Sequence, residues 1–401
     1  MKTQPKRFLA GFGLFMMTVV ASCDKLEDGN TTEGLEGLNL PTTSFEYDIP
    51  LPPHFMVNSF PPQMPFQFAA SESDNTPNDN QITNAGATLG RVLFYEKKLS
   101  ANGTISCASC HKQDKGFSDD EILSLGFDGG LTGRHSMGIV NARFYDTGKF
   151  FWDERAETLE DQVLMPLQDP VEMGMTLTEV VDVVEAQNYA APLFTDAFGD
   201  ETVTTERISK ALAQFVRSIS SFRAKYDEGR AQVMGPLDDF PNFTEEENLG
   251  KQSFFTPNGA PSCGSCHGSE AFVAPLLAPN ATTSGTNNGL DANTSSDQGV
   301  GGITGVNGHN GKFKVPSLRN VALRAPYMHD GRFASLGAVI DHYSTGIQDH
   351  PNLQPFLRDQ QGNPVQYNFT PEQKSALVAF LNTLTDDLLT NDPKFSDPFI
   401  D

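Results

Sequence analysis

Two pentapeptides carry the clearest chemistry in the chain: Cys107-Ala108-Ser109-Cys110-His111 and Cys263-Gly264-Ser265-Cys266-His267. Each sets two thiols two residues apart and follows them directly with an imidazole. Thiols at that spacing can each bond one vinyl group of a haem, and the adjacent His then lies under the iron as its proximal ligand. These residues predict two covalent c-type haems, one on Cys107, Cys110 and His111, the other on Cys263, Cys266 and His267. Paired C-x-x-C motifs can also form a four-thiolate zinc site or redox-active dithiols. A His directly after both pairs, in a chain that opens with an export signal, favours haem.

A haem iron has a sixth position, and its occupant sets what the haem does. A strong ligand there makes an electron carrier, whereas an open or labile position lets peroxide or oxygen bind. His135 is the only His between the first motif and Trp152. After the second motif come His309, Met328, His329, His342, Tyr343 and His350. Spacing alone does not choose among them. Trp152 is the only Trp in the chain, and Gln162 and Glu172 follow it by ten and twenty residues. A lone Trp in a helical protein is ordinarily core. Glu172 could equally cap a helix, since Thr176 and Thr178 suggest a helix start just after it.

The elements that must position these groups are mainly α-helical. Ile82, Ala85, Leu89, Val92 and Leu93 recur at helical spacing and predict a helix over 81–95, leading into the first motif. Ile208, Leu212, Phe215, Val216 and Ile219 predict one over 205–230. A second unit opens at Thr244, which forms a capping box with Glu247, and its haem motif follows about twenty residues later, as in the first unit. His111 and His267 are 156 residues apart, which indicates a duplicated architecture rather than a short repeat. The stretch from Ala281 to Asn310 is rich in Gly, Asn, Thr and Ser and reads as a surface loop. The last helix starts at Thr370-Pro371-Glu372 and carries Leu377, Phe380, Leu381 and Leu384. Long strand patterns are absent.

The organisation predicted is a signal peptide over 1–22, an acidic Pro-rich tether over 23–79, and two haem domains over 80–240 and 241–401. Lys2, Lys6 and Arg7 precede an apolar run from Phe8 to Val20, about half the length of a membrane span. It ends in Val20-Ala21-Ser22-Cys23, which resembles the bacterial lipobox, so a lipid on Cys23 is the expected and sole membrane anchor, with the body in the periplasm. The tether is expected to become ordered only where Phe55, Phe60, Phe66 and Phe68 pack on the body. With 28 Lys and Arg against 51 Asp and Glu, the net charge is −23. Such a chain is a poor nucleic-acid binder, because phosphates require cations. Its field would instead steer a basic protein partner.

Several segments together resemble the bacterial dihaem cytochrome c peroxidase and MauG superfamily, from about Leu89 to Leu384. They include Leu89-Gly90-Arg91-Val92-Leu93-Phe94, Phe151-Trp152-Asp153-Glu154-Arg155-Ala156, Val171-Glu172-Met173-Gly174, Val315-Pro316-Ser317-Leu318-Arg319-Asn320 and Pro326-Tyr327-Met328-His329-Asp330-Gly331. The resemblance implies two cytochrome c-like helical domains with their haems facing across an interface. The first haem would be peroxidatic and the second would accept electrons. Trp152 matches the Trp between the haems, and Gln162 and Glu172 match the distal-pocket pair. Two positions depart from the peroxidase pattern. Tyr343 stands where peroxidases place a Met ligand and MauG a Tyr, which makes it the candidate sixth ligand of the second haem. His135 stands where the family has an Asn at an interhaem calcium whose other ligands would be the carbonyls of Arg324 and Pro326. Imidazole is a poor ligand for a hard cation, so the resemblance permits calcium without requiring it, and His135 could instead be a labile ligand of the first haem.

The function this implies is reduction of hydrogen peroxide with electrons from a small c-type cytochrome or a cupredoxin. The alternatives are a MauG-type oxidase acting on a protein or organic substrate, and a non-enzymatic dihaem electron carrier. The Gln162–Glu172 pair disfavours the last, since a carrier needs no acid–base group. A homodimer is compatible with the sequence.

Overall fold

The computed structural model describes Met1 and residues 35–57, 69–256, 262–273 and 283–400. The signal segment, Cys23, Phe60, Phe66 and Phe68 lie outside the described residues. The helices are α1 (Asn84–Tyr95), α2 (Cys107–Cys110), α3 (Leu159–Gln162), α4 (Met165–Gln168), α5 (Leu177–Glu185), α6 (Ala190–Phe198) and α7 (Thr205–Ser218). They continue with α8 (Lys225–Arg230), α9 (Glu245–Phe255), α10 (Val300–Thr304), α11 (Leu336–Asp341), α12 (Pro371–Asn382) and α13 (Asp387–Asn391). Among the described residues there is no sheet, only isolated bridges such as Phe150 with Ala156 and Tyr327 with Phe333. No described helix is long and apolar enough to cross a membrane. The architecture is the mostly helical one expected, consistent with two cytochrome c-like domains.

The two halves repeat one construction. In the first, α1 packs on α7, and a Cβ on Gly90 would collide with the carbonyl of Ala211 and with Phe215. In the second, α9 packs on α12, and a Cβ on Gly250 would collide with the carbonyl of Ala376 and with Phe380. One turn further along each first helix, Phe94 meets Phe215 and Phe254 meets Phe380, both with ring centroids 5.2 Å apart. Glycine costs helix stability in isolation but lets two backbones approach closely. Asn141 and Asn320 form a second matched pair in the left-handed region, at φ 61° and 59°. Their side-chain oxygens accept from the backbone N–H of Ser221 and Asp386 at 2.8 and 2.7 Å.

The helix caps at Thr244 and Thr370 fall where the sequence places them, and Thr83 caps α1 two residues inside its expected start. Thr83 accepts from Gly86, Thr244 from Glu247 and Thr370 from Gln373. The helix expected over 205–230 divides in two. After Ser218 the chain turns away because distant acceptors take its N–H groups, Ser221 giving to Asn141 and Arg223 to Asp386. The Gly/Asn/Ser-rich stretch also differs from expectation. Ser284 and Asn287 are 3% and 2% exposed, so the start of this segment is built into the body, while residues 302–308 lie exposed on the surface as expected. It includes α10, and its side chains reach the first half. Ser284 donates to Glu154 at 2.7 Å, and Asp297 accepts from Arg134 at 2.8 and 2.9 Å.

Part of the acidic N-terminal stretch lies on the body. Phe55 is fully buried between Phe144 and Phe222. His54 pairs with buried Asp227 at 2.9 Å, and the Tyr47 hydroxyl donates to the Lys394 carbonyl at 3.1 Å. Leu389 and Phe395, from the end of the chain, join the first core, while Tyr226 and Phe240 join the second.

Candidate functional site

A chamber of about 620 Å³ opens in the first half, within the ~300–1,000 Å³ usual for cofactor and ligand sites. Cys107, Cys110, His111, Trp152, Gln162 and Glu172 all line it. The two thiols sit on α2, whose last turn delivers His111. His111 Nδ1 donates to the carbonyl of Phe117 at 3.2 Å, which leaves Nε2 as the bare acceptor. Burial pulls the imidazole below its usual pKa, so it is neutral, as a metal ligand must be. In the second half His267 Nδ1 donates to Phe272 at 3.2 Å, and burial lowers its pKa to about 4. Phe117 and Phe272 both adopt positive φ, 57° and 53°, to present those carbonyls. A bulky residue in that region costs about 1–3 kcal/mol and persists only where the surroundings impose it.

Burial pushes the thiols of Cys107, Cys263 and Cys266 up to about 12 and that of Cys110 to about 11. Protonated thiols are poor metal ligands and poor redox nucleophiles. Among the described residues no group of three or more His, Cys, Asp or Glu is arranged to hold a metal ion. Paired thiols, a neutral His with its lone pair free and a largely apolar chamber fit a haem in the first half. The second half repeats the thiol and His arrangement.

Glu172 follows α4 in a turn held by Asp169, whose carboxylate accepts from the N–H groups of Val171 and Glu172 at 2.8 and 3.2 Å. Its side chain caps no helix; Thr176 and Glu179 form that capping box themselves. Burial raises the Glu172 pKa, Asp169 adds to this, and Arg155 opposes it. Gln162 ends α3 on the same chamber. Trp152 lies where the halves meet. Its indole N–H donates to the His135 carbonyl at 2.8 Å, its own carbonyl accepts from Lys314 N–H at 2.8 Å, and its ring lies 6.4 Å edge-on from His329.

His135 also lines the chamber. Its Nδ1 donates to the carbonyls of Glu121 and Ile122 at 3.0 and 3.2 Å, while its Nε2 is buried without a partner. Near the second thiol pair, Tyr343 stands in a π-helical turn, His342–Gly346, that continues α11. Such widened turns recur at functional sites. Burial raises the Tyr343 pKa to about 12, and Cys266 and Cys263 lie close enough to contribute. Asn288 donates to the Tyr343 hydroxyl at 3.3 Å and reaches the Met328 sulfur at 3.7 Å. The other His residues are engaged elsewhere. His342 Nε2 donates to the Asn288 carbonyl, His350 bonds Thr294, His309 bonds Thr304, and His329 stacks on Phe313 at 3.7 Å.

Three residues that sequence reasoning did not single out shape the site. Arg155 moderates Glu172, Asn288 orients Tyr343, and Arg134 ties Asp153 to Asp297 across the halves. Arg155 lies three residues after Trp152, in the same motif. Asn288 lies in a stretch whose composition carries no signal.

Residues 84–232 match the family described as di-haem cytochrome c peroxidase. The methylamine utilization protein MauG of Methylorubrum extorquens is 32% identical over 322 residues, 79% of this chain and 83% of that protein. The cytochrome c551 peroxidase of Nitrosomonas europaea is 29% identical over 313 residues, 75% of this chain and 80% of that protein. A solved MauG-like protein associated with microbial copper homeostasis aligns with a TM-score of 0.71 at 32% identity, over 88% of this chain and 99% of that one. The chain therefore belongs to the dihaem cytochrome c peroxidase and MauG family of oxidoreductases, whose cofactors are haems.

Proposed function

We propose that the protein reduces hydrogen peroxide to water in the chamber of the first half. One peroxide, two protons and two electrons give two waters. The electrons come singly from a small c-type cytochrome or cupredoxin and are collected through the second half. Each haem is held covalently by thioether links, to Cys107 and Cys110 and to Cys263 and Cys266, with His111 and His267 as proximal ligands. The observation that carries this reading is the presence of the Glu172 carboxyl and the Gln162 amide on the chamber that His111 lines.

The haem iron would supply the electron chemistry at the O–O bond. The chain's own groups handle protons and orientation. Cleavage requires a base that takes a proton from one oxygen and returns it to the other. A carboxyl group whose pKa is raised by burial suits both steps, because it holds the proton less reluctantly than an exposed carboxylate. Gln162 offers an amide donor to align the substrate. Trp152, bonded to both halves, is the group we assign to electron passage between them. The net charge of −23 favours a basic donor protein. His135, with its free Nε2 on the chamber wall, is available as a labile ligand in the resting state. We place the protein in the periplasm, anchored through a lipid on Cys23.

Steady-state oxidation of reduced cytochrome c by hydrogen peroxide, with and without prior half-reduction of the enzyme, tests this reading. Turnover that saturates in peroxide supports it; none beyond that of free haem refutes it. A MauG-type reading, oxidation of a protein or organic substrate, is favoured by Tyr343 buried near the second thiol pair. Anionic oxygen on iron stabilises the ferric state and would resist charging by a high-potential donor.

A further inference from the structure

The backbone carbonyl of Arg324 is one of the ligands that the family resemblance assigns to an interhaem calcium. Its side chain changes that picture. Arg324 is 6% exposed and sits in a slot floored by two glycines. A Cβ on Gly138 would collide with its guanidinium, and one on Gly116 would lie 3.4 Å from its Cγ. Gly138 also lines the haem chamber. The guanidinium is close enough to weigh on both His135, at the first haem site, and His267, at the second. It therefore stands between the two haem motifs.

No carboxylate among the described residues lies within ion-pair distance of it. One guanidinium nitrogen donates to the Ser317 carbonyl, and Nε is buried with no partner. The nearby phenols do not supply a negative charge. Burial raises the pKa of both Tyr145 and Tyr327, the Tyr145 hydroxyl accepts from Ser317 N–H at 3.2 Å, and that of Tyr327 donates to Val321 at 3.1 Å. Three of the other buried arginines have an acid, Arg217 with Glu160, Arg230 with Glu270 and Arg319 with Asp227, while Arg91 bonds the carbonyl and hydroxyl of Ser396. Arginine does not surrender its proton in proteins, so a buried one needs an anion.

We infer that the Arg324 guanidinium is the interhaem cation of this protein, pairing with haem propionates and making bound calcium unnecessary. Each haem brings two propionate carboxylates, which are the anion class this slot lacks. A planar, multidentate donor suits a carboxylate well. A divalent ion does not fit the same place. The Arg324 and Pro326 carbonyls would hold it beside the guanidinium, a like charge, and the third position offers an imidazole nitrogen from His135 where a hard cation needs oxygen. The inference rests on the family's haems and is independent of the peroxide-reducing reading.

The test uses the full chain with both haems, read by metal analysis and by potentiometric titration of each haem. After dialysis against calcium and then buffer, we expect less than about 0.1 calcium per chain, and no change in either haem spectrum or potential on adding a chelator. Arg324→Gln, which removes a positive charge beside the propionates, should lower the reduction potential of at least one haem, and Arg324→Lys should restore it in large part. One calcium per chain whose removal shifts a potential overturns the inference, as does an Arg324→Gln protein with unchanged potentials. Should Arg324→Gln fail to fold, calcium content and chelator response of the unmodified protein decide the matter alone.

Discussion

The indole N–H of Trp152 donates to the backbone carbonyl of His135 at 2.8 Å. This one bond links the chamber wall to the junction of the halves, because His135 N–H in turn donates to the His329 carbonyl at 2.9 Å. Trp152 is thereby fixed against both the first haem site and the motif that contains His329. A buried indole N–H needs an acceptor, and here that acceptor is the residue whose own N–H reaches the second half. The bonds hold the indole rigidly at the junction, the position that the proposed electron passage between the halves requires.

The purified protein should carry two haems per chain that acid acetone does not extract. A pyridine haemochrome assay checks the count. One haem per chain, or extractable haem, would contradict the use made of both thiol pairs.

Tyr343→Phe should alter the optical and spin-state signature of one haem only. If Met328 then reaches the vacated position, the potential of that haem should rise, since a thioether favours ferrous iron where a phenolate favours ferric. Redox titration with parallel EPR measures both effects. Unchanged spectra would remove Tyr343 from the iron's coordination.

Arg155 holds the pKa of Glu172 down against burial and Asp169. A catalytic base works when deprotonated, so activity should fall as pH drops through its pKa. Removing the cation in Arg155→Ala should raise that pKa and move the acid limb of kcat/KM to higher pH. An acid limb that stays in place or moves to lower pH would contradict the assignment of Glu172 as the base.

Gly250→Ala should destabilise the second half despite alanine's better helix propensity, worth about 1 kcal/mol. The added methyl meets the backbone carbonyl of Ala376, which cannot rotate aside. Overpacking of this kind costs about 1–3 kcal/mol or more, so a net loss of about 1–2 kcal/mol and a Tm lower by about 2–8 °C are expected in a thermal scan. A Tm at or above that of the parent would show that α9 and α12 are less tightly apposed.

What could be read from the sequence was local. The two C-x-x-C-H motifs, the Thr244 and Thr370 helix starts and the family motifs depend on neighbours a few residues apart. Features set by distant partners were hidden. Helix α7 ends at Ser218 because Asn141 and Asp386 claim the N–H groups of Ser221 and Arg223, and no Gly or Pro announces it. Ser284 and Asp297 lie in a stretch that reads as surface loop, yet they bond Glu154 and Arg134, more than a hundred residues earlier. The Arg324 carbonyl belongs to a local motif, whereas the lack of an acid beside its guanidinium depends on side chains brought in from distant segments.

The most direct test of the central claim compares the unmodified enzyme with Glu172→Gln in steady-state oxidation of reduced cytochrome c by hydrogen peroxide. Loss of a positioned acid–base group typically costs about 10²–10⁴-fold in rate. The account predicts a fall of that order in the variant, with both haem spectra and the haem content unchanged. Near-normal turnover by Glu172→Gln, or no peroxide turnover by the unmodified enzyme, would contradict it.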